Sequence, residues 1–252
     1  NIPNAPTTVS VSFNGVNKNK DYNRPTDANV YFTQFSPKMG ATYAFSDELS
    51  GFASYRRAFR APSESQIFRP GANASSLNLE AVKVDSYEVG VRGQATKGVD
   101  YEVSVYRMDK KDDLVSFQDP GTGDRYTVNA GKTQHKGIEL GLNTALTQEL
   151  KLAISYSYAK HTYEDWGKNG TPYRGNEMKT APREIMNTRL NWTPAQLNGG
   201  TAELEWERLG EYWMDDNNTY KYSGHNLLNR RTNYNVDKNL RKYGRVINLS
   251  HK

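Results

Sequence analysis

The sequence predicts an all-β protein, an antiparallel transmembrane β-barrel. Three observations predict it. Apolar and polar residues alternate with a period of two along most of the chain. The alternating runs are mostly about ten residues long, the length that crosses a bilayer when tilted, where ordinary sheet strands are nearer five or six. The connections between the runs are short and long by strict turns. Outer-membrane barrels have short periplasmic turns and long extracellular loops, and compact soluble domains rarely hold so many long loops.

The elements follow in order. Strands are expected at 7–13, 34–45 and 50–58. The run SYEVGVRG, in an expected strand at 83–93, sets Tyr87, Val89 and Val91 against Ser86, Glu88, Gly90 and Arg92. YEVSVYRM, at 99–108, sets Tyr101, Val103 and Val105 against Glu102, Ser104 and Tyr106. GIELGLNTAL, at 134–145, sets Ile138, Leu140 and Leu142 against Glu139, Gly141 and Asn143. KLAISYSYAK, at 150–160, sets Leu152, Ile154, Tyr156 and Tyr158 against Ala153, Ser155, Ser157 and Ala159. EIMNTRLNW, at 183–193, sets Met186, Thr188, Leu190 and Trp192 against Asn187, Arg189 and Asn191. TAELEWERLG, at 200–210, places Ala202, Leu204 and Trp206 on one face and Glu203, Glu205 and Glu207 on the other. Two last strands are expected at 224–234 and 240–249. Short turns fall at 46–49, 94–98, 147–149, 194–199 and 235–239, and long loops at 14–33, 59–82, 109–133, 161–182 and 211–223. No segment carries a 3.6-residue apolar stripe, so helix content is expected to be very low.

The strand at 200–210 taken alone suits a soluble sheet, with its acidic face toward bulk water. The rhythm of the connections reverses that reading. Ala202, Leu204 and Trp206 then face lipid, and the three glutamates face a wet or plugged lumen. Carboxylates on the lipid side at mid-depth would be costly.

Composition narrows the function classes. The chain has 252 residues, 24% charged and 36% apolar, with a formal net charge of +5. No run of about 18 apolar residues exists, so no transmembrane helix is expected. The first residues, NIPNAPTTVS, show neither a basic n-region nor an apolar h-region, so no signal peptide is visible. There is no cysteine, which excludes disulfides and thiolate chemistry. The basic residues are scattered, which argues against a nucleic-acid partner. Seventeen tyrosines and four tryptophans against eight phenylalanines make the aromatics amphipathic, as a membrane interface or a binding surface requires.

Specific words then carry a resemblance. ASYRRAFRAPSESQIF, LNLEAVKVDSYEVGVRG, VYRMDKKDDLVSF and NAGKTQHKGIELGL, followed by SYSYAKHTYEDW, GNEMKTAPREIMNTRLNWTP, GEYWMDDNNTYKYSGHNLLNRRTNY and YGRVINLS, together cover nearly all of 39–250. In order and spacing they resemble the C-terminal half of the barrel of a TonB-dependent outer-membrane receptor of the siderophore type. The resemblance implies a 22-stranded barrel around an N-terminal plug, of which the eleven expected strands are about half. It implies a Gram-negative outer-membrane location and active import of a ferric siderophore, with no resident cofactor and no enzymatic step. The partners implied are outer-membrane lipid, the ferric siderophore, and the TonB–ExbB–ExbD complex acting through the plug region. Residues 1–252 are expected to be a fragment of the barrel domain, without the plug and without a last strand closing on an aromatic residue. A receptor for heme, cobalamin or a glycan, a passive porin or adhesin barrel, and a soluble β-rich lectin are the alternative readings.

Candidate sites follow from the faces and loops. Glu88, Arg92, Glu102, Glu139, Arg189, Glu203, Glu205 and Glu207 are expected to face the lumen and dock the plug. The best ligand candidates are loop aromatics and cations. They are Phe117, Arg125 and Tyr126 in one long loop, Tyr163, Trp166, Tyr173 and Arg174 in the next, and Tyr212, Trp213, Tyr220 and Tyr222 in a third. Siderophores present flat aromatic or hydroxamate groups with negative charge; Tyr and Trp offer rigid amphipathic surface and Arg a planar fork. An aromatic girdle at the outer interface accounts for such residues equally simply. FRAPS, at 59–63, resembles the FRAP box of heme receptors, but the second box is absent and no histidine lies between Ser63 and Gly90, so Pro62 reads as the end of a strand. The histidines are His135, His161, His225 and His251. His161, Glu164 and Asp165 are expected on a long loop without a second histidine nearby, so no metal site is expected. No nucleophile–base pair or glycine-rich phosphate loop appears, and no enzyme is expected.

Overall fold

A computed structural model of the chain describes residues 7–13, 16–22, 28–68, 77–118, 125–168, 171–197 and 199–249. Strands β1 (Thr7–Phe13) and β2 (Val16–Tyr22) pair with each other in a separate two-stranded sheet. The wall begins with β3 (Lys38–Ala44) and β4 (Leu49–Arg60), and the four-residue helix α1 (Glu64–Ile67) follows. Then come β5 (Val82–Thr96), β6 (Val99–Gln118), β7 (Arg125–Ala145) and β8 (Leu150–Asp165). Two-residue strands β9 (Gly167–Lys168) and β10 (Thr171–Pro172) precede β11 (Glu184–Trp192) and β12 (Thr201–Leu209). A second small pair, β13 (Tyr212–Trp213) and β14 (Lys221–Tyr222), precedes β15 (His225–Asn235) and β16 (Arg241–Val246). Ten strands form one open antiparallel sheet in the order β16-β15-β12-β11-β8-β7-β6-β5-β4-β3. Each long strand pairs with the next long strand in the chain, an up-and-down meander.

Register fixes two unlike faces. On one, Tyr101, Val103 and Val105 of β6 lie opposite Leu142, Leu140 and Ile138 of β7, and these lie opposite Ile154, Tyr156 and Tyr158 of β8. Leu152, Leu190 and Leu204 form another row across β8, β11 and β12. Among the described residues no layer covers this face: Val89 is 53% exposed, Ile138 48% and Leu204 42%. An uncovered apolar sheet face of this extent needs a nonaqueous neighbour. The band ends at a polar row, Tyr87, Arg107, Lys136 and Lys160, joined residue to residue across β5 to β8. Beyond that row the same face is polar. Arg57 Nε donates to Asp85 at 2.7 Å, Arg107 Nε to Asp109 at 2.8 Å, and Gln134 Nε2 to Asp109 at 3.1 Å. In β5 to β8 the apolar band thus runs from the short turns to this row, and the strands continue past it.

The wall differs from expectation in several places. Residues 7–13 belong to the separate hairpin, and β2 falls inside the expected loop 14–33. The described wall therefore has ten strands, where eleven were expected. The expected loop 109–133 is mostly strand: β6 and β7 stay paired from Lys110↔Thr133 out to Gln118↔Arg125. Similarly β8 continues to Asp165. The cause is physical. Once a strand leaves the lipid its outward face has no reason to be apolar, so the period-two signal stops while backbone pairing continues. The first strand of the wall spans Lys38–Ala44 and the last Arg241–Val246, each shorter than expected. The short turns are as tight as their lengths imply; Ala145 N, for example, donates to Gly98 O at 3.1 Å, across the neighbouring turn.

Candidate ligand vestibule and lumen face

The face opposite the apolar band carries the charges. Register places Glu88, Arg92, Glu102, Glu139, Arg189, Glu203, Glu205 and Glu207 together on it: Arg92 lies opposite Glu102, Ser104 opposite Glu139, and Arg189 opposite Glu205. Many of its charges are bridged between strands. Arg56 Nη2 donates to Glu88 Oε2 at 3.1 Å. Arg231 of β15 bonds Glu203 and reaches Glu205 Oε2 at 2.7 Å. Asn187 Nδ2 donates to Glu205 Oε1 at 2.9 Å, and Asn229 Nδ2 to Glu207 Oε1 at 3.0 Å. Glu205 is only 6% exposed, so its charge is held by this set of partners. Arg231 and Asn229 escaped the sequence reading, and Asn187 was set on the polar face of its strand without being named a candidate. Their signal was available: each stands on the polar parity of its own strand.

Past the membrane row, two connections interlock. Tyr163, near the end of β8, donates its hydroxyl to Asp216 Oδ1 at 2.7 Å, and Lys179 Nζ donates to Asp216 Oδ2 at 2.9 Å. Asn176 Nδ2 donates to the Asp216 carbonyl at 2.9 Å. Asn218 uses both ends of its amide on Glu177, accepting from the backbone N–H at 2.8 Å and donating to the carbonyl at 2.8 Å. Glu177 in turn takes a two-pronged ion pair from Arg183. The Arg183 guanidinium holds the Glu177 carboxyl below its ordinary value, and burial followed by the bond to Asp216 pushes the Tyr163 phenol up. Asp215 accepts from the Tyr220 and Thr219 amides at 2.8 and 3.0 Å, which depresses its carboxyl as well.

This arrangement divides the expected ligand residues. Tyr163 and Tyr173 are buried, 8% and 7% exposed, with ring centroids 6.3 Å apart; Trp166 packs on Tyr163 at the same distance. They brace the connections. Arg174 and Tyr220 are exposed, and Tyr220 is 69% accessible. Tyr212 stacks on Tyr222 at 5.0 Å, Tyr222 meets His225 through a 2.9 Å hydroxyl–Nδ1 bond, and Lys221 Nζ sits 4.7 Å over Trp213. Phe117 lies opposite Tyr126, and Gln118 opposite Arg125, at the far end of the β6–β7 hairpin; the side chains there are outside the described residues.

The segment at 59–63 behaves as a strand end. β4 stops at Arg60, Pro62 is buried, and the Ser63 N–H donates to Gln66 Oε1 at 2.9 Å at the start of α1. The histidine expectation needs correction. His161 lies within β8, directly opposite His135 of β7, and their Nδ1 atoms are 2.7 Å apart. The pair was invisible in sequence because 26 residues separate its members and the intervening stretch read as loop. Burial, and then the neighbouring ring, lowers His135 to about 4, and burial lowers His161. His251 lies outside the described residues.

Known proteins share this architecture. Residues 7–249 match the family model described as TonB dependent receptor-like, beta-barrel. The ferrichrome outer membrane transporter/phage receptor of Escherichia coli K12 is 23% identical over 210 residues, covering 81% of this chain and 26% of that protein. The ferrioxamine receptor of Yersinia enterocolitica is 24% identical over 196 residues, covering 76% of this chain and 25% of that protein. Among solved structures, the ferric yersiniabactin uptake receptor FyuA of Yersinia pestis superposes with a TM-score of 0.66 at 17% identity, over 93% of this chain and 33% of that one. The siderophore receptor PiuA of Acinetobacter baumannii gives 0.69 at 18%, over 86% and 32%. The chain thus spans about a quarter of the length of these curated relatives and about a third of the solved chains.

Proposed function

Because the chain belongs to the TonB-dependent receptor β-barrel family, we propose that it forms part of the barrel wall and outer vestibule of a receptor that imports a ferric siderophore across the Gram-negative outer membrane. The observation that carries this reading is the two-faced sheet. Its apolar band stops at one row across four strands, and its charged face bears partly bridged carboxylates and amides. Lipid takes the first face. A plug, supplied by another segment of the receptor, takes the second, and TonB–ExbB–ExbD works through that plug. The relatives named for ferrichrome and ferrioxamine support the cargo class.

In this reading the interlocked connections are a stiff rim, and ligand contact falls to the exposed and half-buried groups on it. Arg174 offers a planar cationic fork; Tyr212, Trp213, Tyr220 and Tyr222 offer flat surface for the chelate. No catalytic step is required: the ferric chelate is held, and plug rearrangement opens its path.

The test is growth of an iron-starved strain that has this receptor as its sole siderophore importer. Defined hydroxamate, catecholate and mixed chelates are supplied singly, with uptake of radioactive iron as the readout. Uptake of one class, abolished when TonB is deleted and reduced at least tenfold in an Arg174→Ala/Tyr220→Ala variant, is the expected result. TonB-independent entry of all small solutes would overturn the reading in favour of a passive pore.

A further inference from the structure

Four residues on one face of the projecting sheet stand in a single row. Met108 of β6 lies opposite His135 of β7, and His135 lies opposite His161 of β8. The row continues into the next connection. Thr162 and Glu177 form an antiparallel bridge, and Met178 N donates to His161 O at 2.9 Å, which sets Met178 opposite His161. The order across the face is therefore Met-His-His-Met. All four are partly exposed, and the row lies on the charged face, one step past the end of the apolar band.

From this juxtaposition we propose that Met108, His135, His161 and Met178 form a copper site, selective for Cu(I), at the rim of the vestibule.

The two Nδ1 atoms already face each other at 2.7 Å. Two imidazole nitrogens bound to one metal at about 2.0–2.1 Å stand about 2.9–3.4 Å apart for angles between square and tetrahedral. A small opening of the pair thus converts a hydrogen bond into a chelate. A hydrogen bond between the two Nδ1 atoms needs one of them to accept, so at least one ring is neutral and already offers a lone pair. One Nδ1–H now donates to the other Nδ1. On binding, that proton moves to Nε2 of its own ring, so both Nδ1 lone pairs reach the metal and no net proton is released. Thr133 Oγ1, 3.1 Å from His135 Nε2, is placed to accept from the Nε2–H that metal binding requires, and so orients the ring. The neighbouring charges are already spent: Lys110 pairs with Asp113 at 2.7 Å, and Glu177 with Arg183.

The donor set selects the metal. Thioether sulfur is soft and a poor ligand for zinc, nickel or magnesium, whereas imidazole with thioether suits copper. No carboxylate stands in the row, which removes the hard donors that iron or manganese would need. The site is separate from the ferric-chelate reading and stands without it.

The test uses the complete receptor, purified from outer membranes in detergent, with Cu(I) supplied from a chromogenic chelator. One equivalent withdrawn from the chelator is the expected result, with sulfur and nitrogen neighbours in the X-ray absorption spectrum. His135→Gln/His161→Gln should weaken binding at least tenfold while the barrel keeps its heat-dependent gel shift. Met108→Leu/Met178→Leu, which preserves volume and hydrophobicity, should weaken Cu(I) at least tenfold and leave Zn²⁺ binding unchanged. Equal copper uptake by the wild type and the histidine pair, or no loss in the methionine pair, would overturn the proposal. Should the histidine pair fail to fold, the methionine pair decides alone.

Discussion

Tyr163 shows how one hydroxyl joins two connections. Its ring is buried against Trp166 and Tyr173, and its O–H reaches Asp216, 53 residues away in sequence. Tyr163→Phe keeps the packing and leaves the Asp216 carboxylate its bond to Lys179 and the Asp216 carbonyl its bond to Asn176. A hydrogen bond to a charged group contributes about 1.5–3 kcal/mol. The variant should therefore show faster proteolysis within 211–223, with the barrel itself unchanged on a heat-shift gel. Glu177 gives a pH dependence. Its folded value lies below the ordinary 4.5 because Arg183 bonds the carboxylate. A depressed carboxyl stabilises the fold above its unfolded value and loses that contribution as pH falls through the folded one. The anchoring of 166–183 should therefore be constant from pH 8 to pH 5 and fail progressively below about 4.5. Hydrogen exchange of the Glu177 and Met178 amides across that range measures it; protection that changes between pH 8 and pH 6 would contradict the assignment.

Strands carry opposite demands on their two faces, and β11 and β12 make the contrast measurable. Leu204 lies opposite Leu190 on the apolar face, and Asn191 lies opposite Glu203 on the charged one. An arginine at mid-depth on a lipid face costs about 2–4 kcal/mol. Leu204→Arg should lower the denaturant midpoint for the folded barrel in lipid vesicles by that order. Asn191→Arg should leave it within about 0.5 kcal/mol, since Glu203 is at hand and the lumen is wet. Arg189, opposite Glu205, belongs to the surface proposed to meet the plug. Arg189→Glu sets two carboxylates opposite each other across the pair. It should raise plug mobility, read by spin labels on the plug of the full receptor, and lower uptake. Unchanged mobility and uptake would remove Arg189 from that role.

Among the described residues β3 and β16 are the free edges of the ten-stranded sheet, and in a membrane-spanning barrel such edges need further strands, because lipid offers no partner for free N–H and C=O groups. The exposures at the β3 edge agree: Met39, Tyr43 and Phe45 are 63%, 68% and 61% accessible. Residues 1–252 expressed alone should fail to give a heat-shifted, protease-resistant band in vesicles. Co-expression with the remaining barrel segments should restore one. A resistant band from this chain alone would mean that it closes on itself or on copies of itself.

Side-chain parity and turn position are written locally, so the two faces, the short turns and the antiparallel meander were legible in the residues. SYEVGVRG and TAELEWERLG each declare which residues stand on the apolar face. The charged parity of each strand, from Glu88 to Glu207, is local, and the common face of these residues is what register then produced. Other features depend on which residues of distant strands are brought level, and no local pattern encodes that. The extension of β6 and β7 past the membrane is one, because polar strands outside lipid lose the alternation that identifies them. The separate pairing of β1 with β2 is another, since hairpin choice is settled by competition among edges. The bracing of Tyr163 on Asp216 and the alignment of Met108, His135, His161 and Met178 are the clearest. Sequence alone determined that this chain has an apolar face and a charged face. Tertiary register decided which side chains on that charged face stand together, because cross-strand neighbours are chosen by backbone pairing and not by nearness along the chain.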